Sequence, residues 1–217
     1  MISKLSLSKQ QHIMIIVFFV TIITCPRVSV GYGYKRNEDP LITVFKSIIF
    51  HGKKNDWARV ASGIESINDR INDVKVIFDV DLKSKFDAAL AQHNFLEVVN
   101  VMANLTFLAV REKYYWNLVE NLQMFTKAKV RLRLTNEYYT KLLSGNVRKY
   151  DKHNETRIHD EISGKFIEAK KTLGSLGFLG AGAVKPKPEE FELITKEIEK
   201  KLLIVFPYFE NGKEITY

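Results

Sequence analysis

The sequence predicts an all-α protein, an antiparallel bundle of about six to seven helices behind a cleaved signal peptide. Three observations carry that prediction. No proline occurs between Pro40 and Pro186, and glycine is sparse over the same span. Proline removes a backbone donor and clashes with the preceding turn, so long helices exclude it, whereas a β-rich domain would need turns rich in both residues. Apolar residues also recur at threes and fours, as in Trp57, Val60, Ile64, Ile67, Ile71 and Val74, which is one face of a 3.6-residue period. Finally, Lys4 and Lys9 precede an apolar run from Ile13 to Ile23 interrupted only by Thr21. That run is short for a bilayer span and suits the hydrophobic core of a leader.

Ser29 and Gly31 are small residues at the −3 and −1 places, so cleavage is expected after Gly31, within a few residues. A retained anchor is disfavoured by the polar stretch Ser8 to His12, and lipidation at Cys25 by the bulk of Thr24 before it and by Pro26 after it. The expected organisation is a signal peptide at 1–31, a loose segment at 32–38, one helical domain at 39–206 and a tail at 207–217. Removing Lys4, Lys9 and Arg27 leaves 30 basic and 25 acidic residues, a net charge of +5. That is too mild for a nucleic-acid footprint. Cys25 is the one cysteine and leaves with the leader, which excludes disulfides, thiolate-bound zinc and iron–sulfur clusters from the mature chain. No second apolar segment reaches spanning length.

The elements follow in order. Asp39-Pro40 is a helix start: Asp caps orphan N–H groups, and Pro at the first position has no donor to lose. This helix runs through Leu41, Val44, Phe45, Ile48 and Ile49 to about Gly52. Asn55 or Asp56 caps a second helix, whose apolar face continues to Val74, and the β-branched stretch to Val80 frays or bends. Asp81 caps a third, ahead of Leu82, Phe86, Ala89 and Leu90. Phe95 to about Tyr115 is apolar on more than one side and reads as a buried helix. Another is expected from about Leu118 to Leu143, with Leu122, Phe125, Ala128, Leu132, Tyr139 and Leu142 inward. Whether Trp116 to Asn121 is a turn or continuous helix stays open. Lys127 to Leu134 also alternates with period two, but no partner strand is visible. Ser144-Gly145 is expected to end that helix. The next resumes at or before Thr156, with Ile158, Ile162, Phe166, Ala169 and Leu173 inward. Residues 174–187 form an apolar glycine/proline loop, expected to pack closely on something. A last amphipathic helix runs from Pro188 through Phe191, Ile194, Ile198, Leu202 and Val205, and Pro207-Tyr208-Phe209 stops it.

No catalytic signature occurs. There is no G-x-S-x-G, no phosphate-binding glycine pattern among Gly174, Gly177, Gly180 and Gly182, and neither Glu-x-x-His nor His-Glu-x-x-His. Glu155 and His159, four apart, would share a helical face and could hold a metal with Asp160, Glu161 or a distant carboxylate. A solvated, cap-rich helix start is the plainer reading, so no metal, cofactor or catalytic residue is assigned. His51 and His93 fall at helix ends, where imidazole suits the carbonyl dipole better than it suits haem. Asn104-Leu105-Thr106 and Asn154-Glu155-Thr156 have the form of glycosylation sequons. The stretch Tyr114-Tyr115-Trp116 through Lys127, Lys129, Arg131, Arg133 and Tyr138-Tyr139 mixes aromatic and basic residues. Its default is a solvated face salt-bridged to Glu112, Glu120 and Glu137. The functional alternative is a protein interface, where Tyr, Trp and Arg dominate the energetics. The candidate contacts are Tyr115, Trp116, Arg131, Arg133, Tyr138, Phe178, Leu179, Tyr208 and Phe209.

The block Leu132 to Glu161, with Tyr138-Tyr139, Gly145-Asn146-Val147-Arg148 and His159-Asp160-Glu161, resembles the small exported all-helical accessory proteins of nitrite-oxidising and anammox-type respiratory complexes. That family includes the subunit that organises nitrite oxidoreductase into tubules. The resemblance implies a structural subunit bridging copies of a large redox enzyme, with no cofactor of its own, in the periplasm or an equivalent lumen such as the anammoxosome. The expected function is therefore a non-catalytic assembly subunit of a larger exported complex, with self-association possible. The alternative is a soluble metal- or haem-binding helical protein of the same compartment.

Overall fold

The computed structural model describes residues 38–177 and 181–213. The leader, most of the segment 32–38, Phe178 and Leu179 lie outside the described residues. Within them the chain is all-helical, and the one β-type pairing is an isolated antiparallel bridge between Ser175 and Val184.

Helix α1 spans Pro40–Gly52, and the Asp39 carboxylate accepts from the Leu41 N–H at 3.0 Å. Asp56 caps α2, Trp57–Glu65, by accepting from the Arg59 N–H. The expected continuous helix through Val74 breaks here, and α3 restarts at Asn68–Phe78. At the break the Ser66 hydroxyl donates to the Gly63 carbonyl at 2.6 Å, the local competition that makes serine a poor helix-interior residue. The break leaves the apolar face intact: Val60, Ile64, Ile67, Ile71 and Val74 are all buried. Helix α3 ends on Asp79 in the left-handed region, and Asp81 caps α4, Leu82–Ala91.

Asn94 caps α5, Phe95–Val119, by accepting from the Glu97 N–H at 3.1 Å. The helix is buried on every side from Val101 to Glu112, because α1, α3, α4 and α9 (Pro188–Val205) all pack against it, as does α6 (Phe125–Tyr138). A helix apolar all round has no solvent face to offer, so it becomes the axis on which the others assemble. The open question at Trp116 resolves as a helix to Val119 followed by a turn, in which Asn121 and Leu122 both take positive φ, 49° and 55°.

After α6 the helix widens into a π-turn at Tyr139–Leu143 and continues as α7, Ser144–Asn154. The expected stop at Ser144-Gly145 is therefore not a stop. The Ser144 N–H bonds back to the Tyr139 carbonyl and its hydroxyl donates to the Thr140 carbonyl at 2.8 Å, so the backbone stays bonded through the π-turn and no loop is needed. The real end is Glu155, at φ 56°. Helix α8, Ile158–Thr172, buries Ile162 and Ala169 fully, as its period requires. Following α9, residues 206–213 pack back onto the core as a strap. Phe206 and Phe209 are both buried there, the latter within the tail expected from residue 207.

Candidate interaction surface

The candidate surface starts from the turn between α5 and α6. On α5, Trp116 and Val119 lie one turn apart and are both exposed, as is Met124 in the turn itself. The turn is held by a two-pronged ion pair. Arg131 donates through one guanidinium nitrogen to Glu120 Oε2 at 2.6 Å and through the other to Oε1 at 3.1 Å. It also reaches the Trp116 carbonyl and the Asn117 side chain. The hydrogen bonds from Arg131 hold the Glu120 carboxyl below its ordinary pKa. Arg131 is thus engaged in fastening its own chain, and Arg133 lies 3.8 Å from Glu137 on the same helix. The third expected partner of the basic face, Glu112, is elsewhere. It is buried and pairs with Arg70 and Lys113, because it lies on the enclosed part of α5.

Beside the turn is an open cleft of about 600 Å³. Leu122, Gln123 and Phe125 form one wall, and Leu176, Val184 and Pro186 contribute to the other. The glycine loop that builds this second wall packs on itself. Gly174, at φ 73°, leaves space for the Val184 carbonyl, and Gly177, at φ 67°, for that of Ala181; a Cβ at either would collide with backbone. Paired hydrogen bonds between Ser175 and Val184 close the loop, and the Lys187 N–H ties its exit to the Thr172 carbonyl at 2.8 Å. Leu176 and Val184 remain exposed at the cleft.

The expected contact residues separate on burial. Trp116 packs edge to face with Tyr115 at 5.0 Å and keeps 38% of its surface exposed, and Tyr208 keeps 46%. Tyr138 and Phe209 are withdrawn. Tyr138 has no exposed surface, and its hydroxyl donates to the Asp39 carboxylate at 3.0 Å, with burial pushing its pKa up. Phe209 stacks between Phe206 and Phe107, at 4.6 and 5.2 Å. Neither ring can touch a partner without leaving the core, and the strap and α1 supply the cover that the sequence does not reveal.

The metal reading is corrected in its geometry. Glu155 terminates α7 in the left-handed region and is not on the helix that carries His159, so the two do not share a helical face. His159 Nδ1 lies 2.7 Å from the Tyr139 hydroxyl, and its ring stacks on Tyr139. His51 pairs with Asp56 at 3.1 Å, and His93, at φ 48°, stacks on Trp57 at 4.9 Å. Among the described residues no three His, Cys, Asp or Glu side chains converge on one point.

Two polar groups on α5 have a role that the sequence reading, which took Asn104 as part of a glycosylation sequon, did not give them. Asn104 and Arg111 are both buried, seven residues apart, and both bind the strap. Their signal was present, since an Asn and an Arg in an otherwise apolar helix need partners when buried. Comparison with family models, curated proteins and solved structures finds no match to this chain.

Proposed function

We propose that this chain is a non-catalytic assembly subunit that binds a larger protein through the cleft between the α5–α6 turn and the glycine loop. In this reading the leader directs export, and the helices form an antiparallel bundle. Support for the bundle comes from α1 with α2, α4 with α5, α5 with α6 and α8 with α9, pairs that are close in sequence and pack as neighbours. No helix among the described residues is long and apolar enough to cross a membrane.

The observation that carries the binding reading is a cleft with exposed apolar side chains, Leu176 and Val184, on one wall and further exposed apolar residues, Met124, Val119 and Trp116, along the turn next to the other. Scattered apolar residues on a surface need no explanation, but several around a concavity mark an interaction site. The Arg131–Glu120 clip holds that segment before any partner arrives, which lowers the ordering cost of binding. The partner suggested by the family resemblance is a large exported redox complex.

The test is affinity capture of the full chain from its native source, followed by mass spectrometry, with Trp116→Ala and Leu176→Ser in parallel. An interface anchor of this kind is worth about 2 kcal/mol, so each variant should lose the partner by roughly thirtyfold. Capture of one stoichiometric complex that is unchanged by both variants would place the interface elsewhere. Recovery of the chain free of any partner would overturn the reading.

A further inference from the structure

The strap at residues 206–213 lies in a groove that is built for it. Asn104, only 3% exposed, brackets Glu210: its Nδ2 donates to the Glu210 carbonyl at 3.1 Å, and its Oδ1 accepts from the Glu210 N–H at 2.9 Å. Arg111 donates to the Asn211 carbonyl, with its guanidinium over the Phe78 ring at 4.7 Å and its Nε on Glu199 at 3.1 Å. The Lys213 N–H donates to the Phe78 carbonyl at 2.9 Å. Gly212, at φ 68°, sits so close to Phe78 and Val80 that no Cβ fits. Lys85 pairs with the Glu210 carboxylate, and Phe209 fills the slot between Phe107 and Phe206.

The body holds the strap as a groove holds an extended peptide. An extended segment is read by its backbone through side-chain donors and acceptors, by one aromatic anchor, and by one position that admits only glycine. We propose that the groove also takes the Phe209–Lys213 segment of a second copy of this chain, so that two copies exchange straps. The bonds from Asn104, Arg111, Lys85 and Phe78 to residues 210–213 and the stack of Phe209 on Phe107 run between the strap and the body, so each is reproduced with a strap supplied in trans, while the Phe206–Phe209 stack lies within the strap. Exchange then costs only the entropy of association and the change at the hinge. The hinge is small. Helix α9 ends at Val205, Pro207 has no N–H to give up, and one backbone bond crosses the hinge, from the Phe209 N–H to the Phe206 carbonyl. The proposal does not depend on the cleft described above, and it uses purified chain alone.

The experiment pairs two disabled chains. Asn104→Leu spoils the groove but keeps a good strap, and Gly212→Val spoils the strap but keeps a good groove. Each alone should run as a monomer by light scattering. Mixed in equal amounts, they should give a complex of doubled mass holding one of each, since one groove and one strap are still matched. No complex on mixing, with both chains still helical by circular dichroism, would overturn the proposal. If either substitution unfolds its chain, the exposed Lys85–Glu210 pair provides the second set. Lys85→Glu and Glu210→Lys each place like charges together in cis and opposite charges in trans. The mixed complex should then exceed either self-complex by at least about tenfold at low salt. Equal amounts of mixed and self-complex, or none of either, would refute exchange.

Discussion

Asp151 should be the most informative single position for stability. It lies on α7 yet caps α8 from across the turn. Its Oδ1 accepts from the Ile158 N–H at 2.9 Å and the Thr156 hydroxyl at 2.6 Å, and its Oδ2 accepts from the His159 N–H at 2.8 Å. Arg157, at the N-cap place, makes no side-chain cap bond, so Asp151 does the capping. Replacing a capping residue by Ala costs about 1 kcal/mol, and hydrogen bonds to a charged group are worth about 1.5–3 kcal/mol each before water re-solvates the freed donors. The site is half-buried, so that compensation is partial, and Asp151→Ala should lose about 2–3 kcal/mol. Asp151→Asn keeps one acceptor oxygen and should lose about half as much. Urea unfolding followed by far-ultraviolet circular dichroism measures both. There is also a pH signature. Burial pushes the Asp151 carboxyl up, but the bonds from Thr156, His159 and Ile158 outweigh it and hold the pKa below the ordinary value. A carboxyl depressed in the folded state adds stability above its unfolded pKa and loses it as pH falls through the folded one. The gap between wild type and Asp151→Ala should therefore narrow below about pH 4. An Asp151→Ala variant within about 0.5 kcal/mol of wild type at neutral pH, or a gap that does not close in acid, would refute the capping argument.

Three further outcomes are expected. Tyr114→Phe should stabilise the protein by about 1 kcal/mol in the same unfolding assay, because the Tyr114 hydroxyl is buried without a well-formed hydrogen bond, its polar neighbour Thr135 donating instead to the Leu132 carbonyl at 2.8 Å. A loss of 1 kcal/mol or more would mean that the hydroxyl is bonded after all. Glu155→Gly should raise stability by about 0.5–1 kcal/mol, since a non-glycine residue is held there at φ 56°. Lower stability would show that the glutamate side chain is needed. Asp81 should shape the acid limb: bonds from Ser84 and Lys75 bring its pKa down to about 2, so its stabilisation is present above pH 4 and fades toward pH 2. Asp81→Asn should flatten that limb in an acid titration of helicity, and an unchanged limb would remove Asp81 from it.

Helical character was legible because it is local. The caps Asp39, Asp56 and Asp81 each sit two or three residues from the N–H they accept, so the motif and the bond occupy one short window. Burial by period was legible for the same reason, as Ile158, Ile162, Phe166, Ala169 and Leu173 illustrate. The misplaced boundaries share another cause. Ser144-Gly145 has the composition of a stop, but the preceding helix widens to a π-turn that keeps the backbone bonded through it. The break at Ser66 falls inside a perfect apolar period, because the hydroxyl bond that marks it does not disturb which side chains face inward. Within the candidate surface, Trp116 and Tyr208 are exposed while Tyr138 is not, and nothing in their local sequence separates them.

By itself, the sequence determined the secondary structure class, the inward faces and most helix starts, because periodicity and capping are interactions between near neighbours. Only the tertiary structure decided which polar residues are free. Glu112, expected beside the basic face of α6, is occupied by Arg70 forty-two residues away, and Asn104 by Glu210 more than a hundred away. A buried polar group takes whatever partner the packing brings within bonding distance, and that distance is a property of the assembled chain.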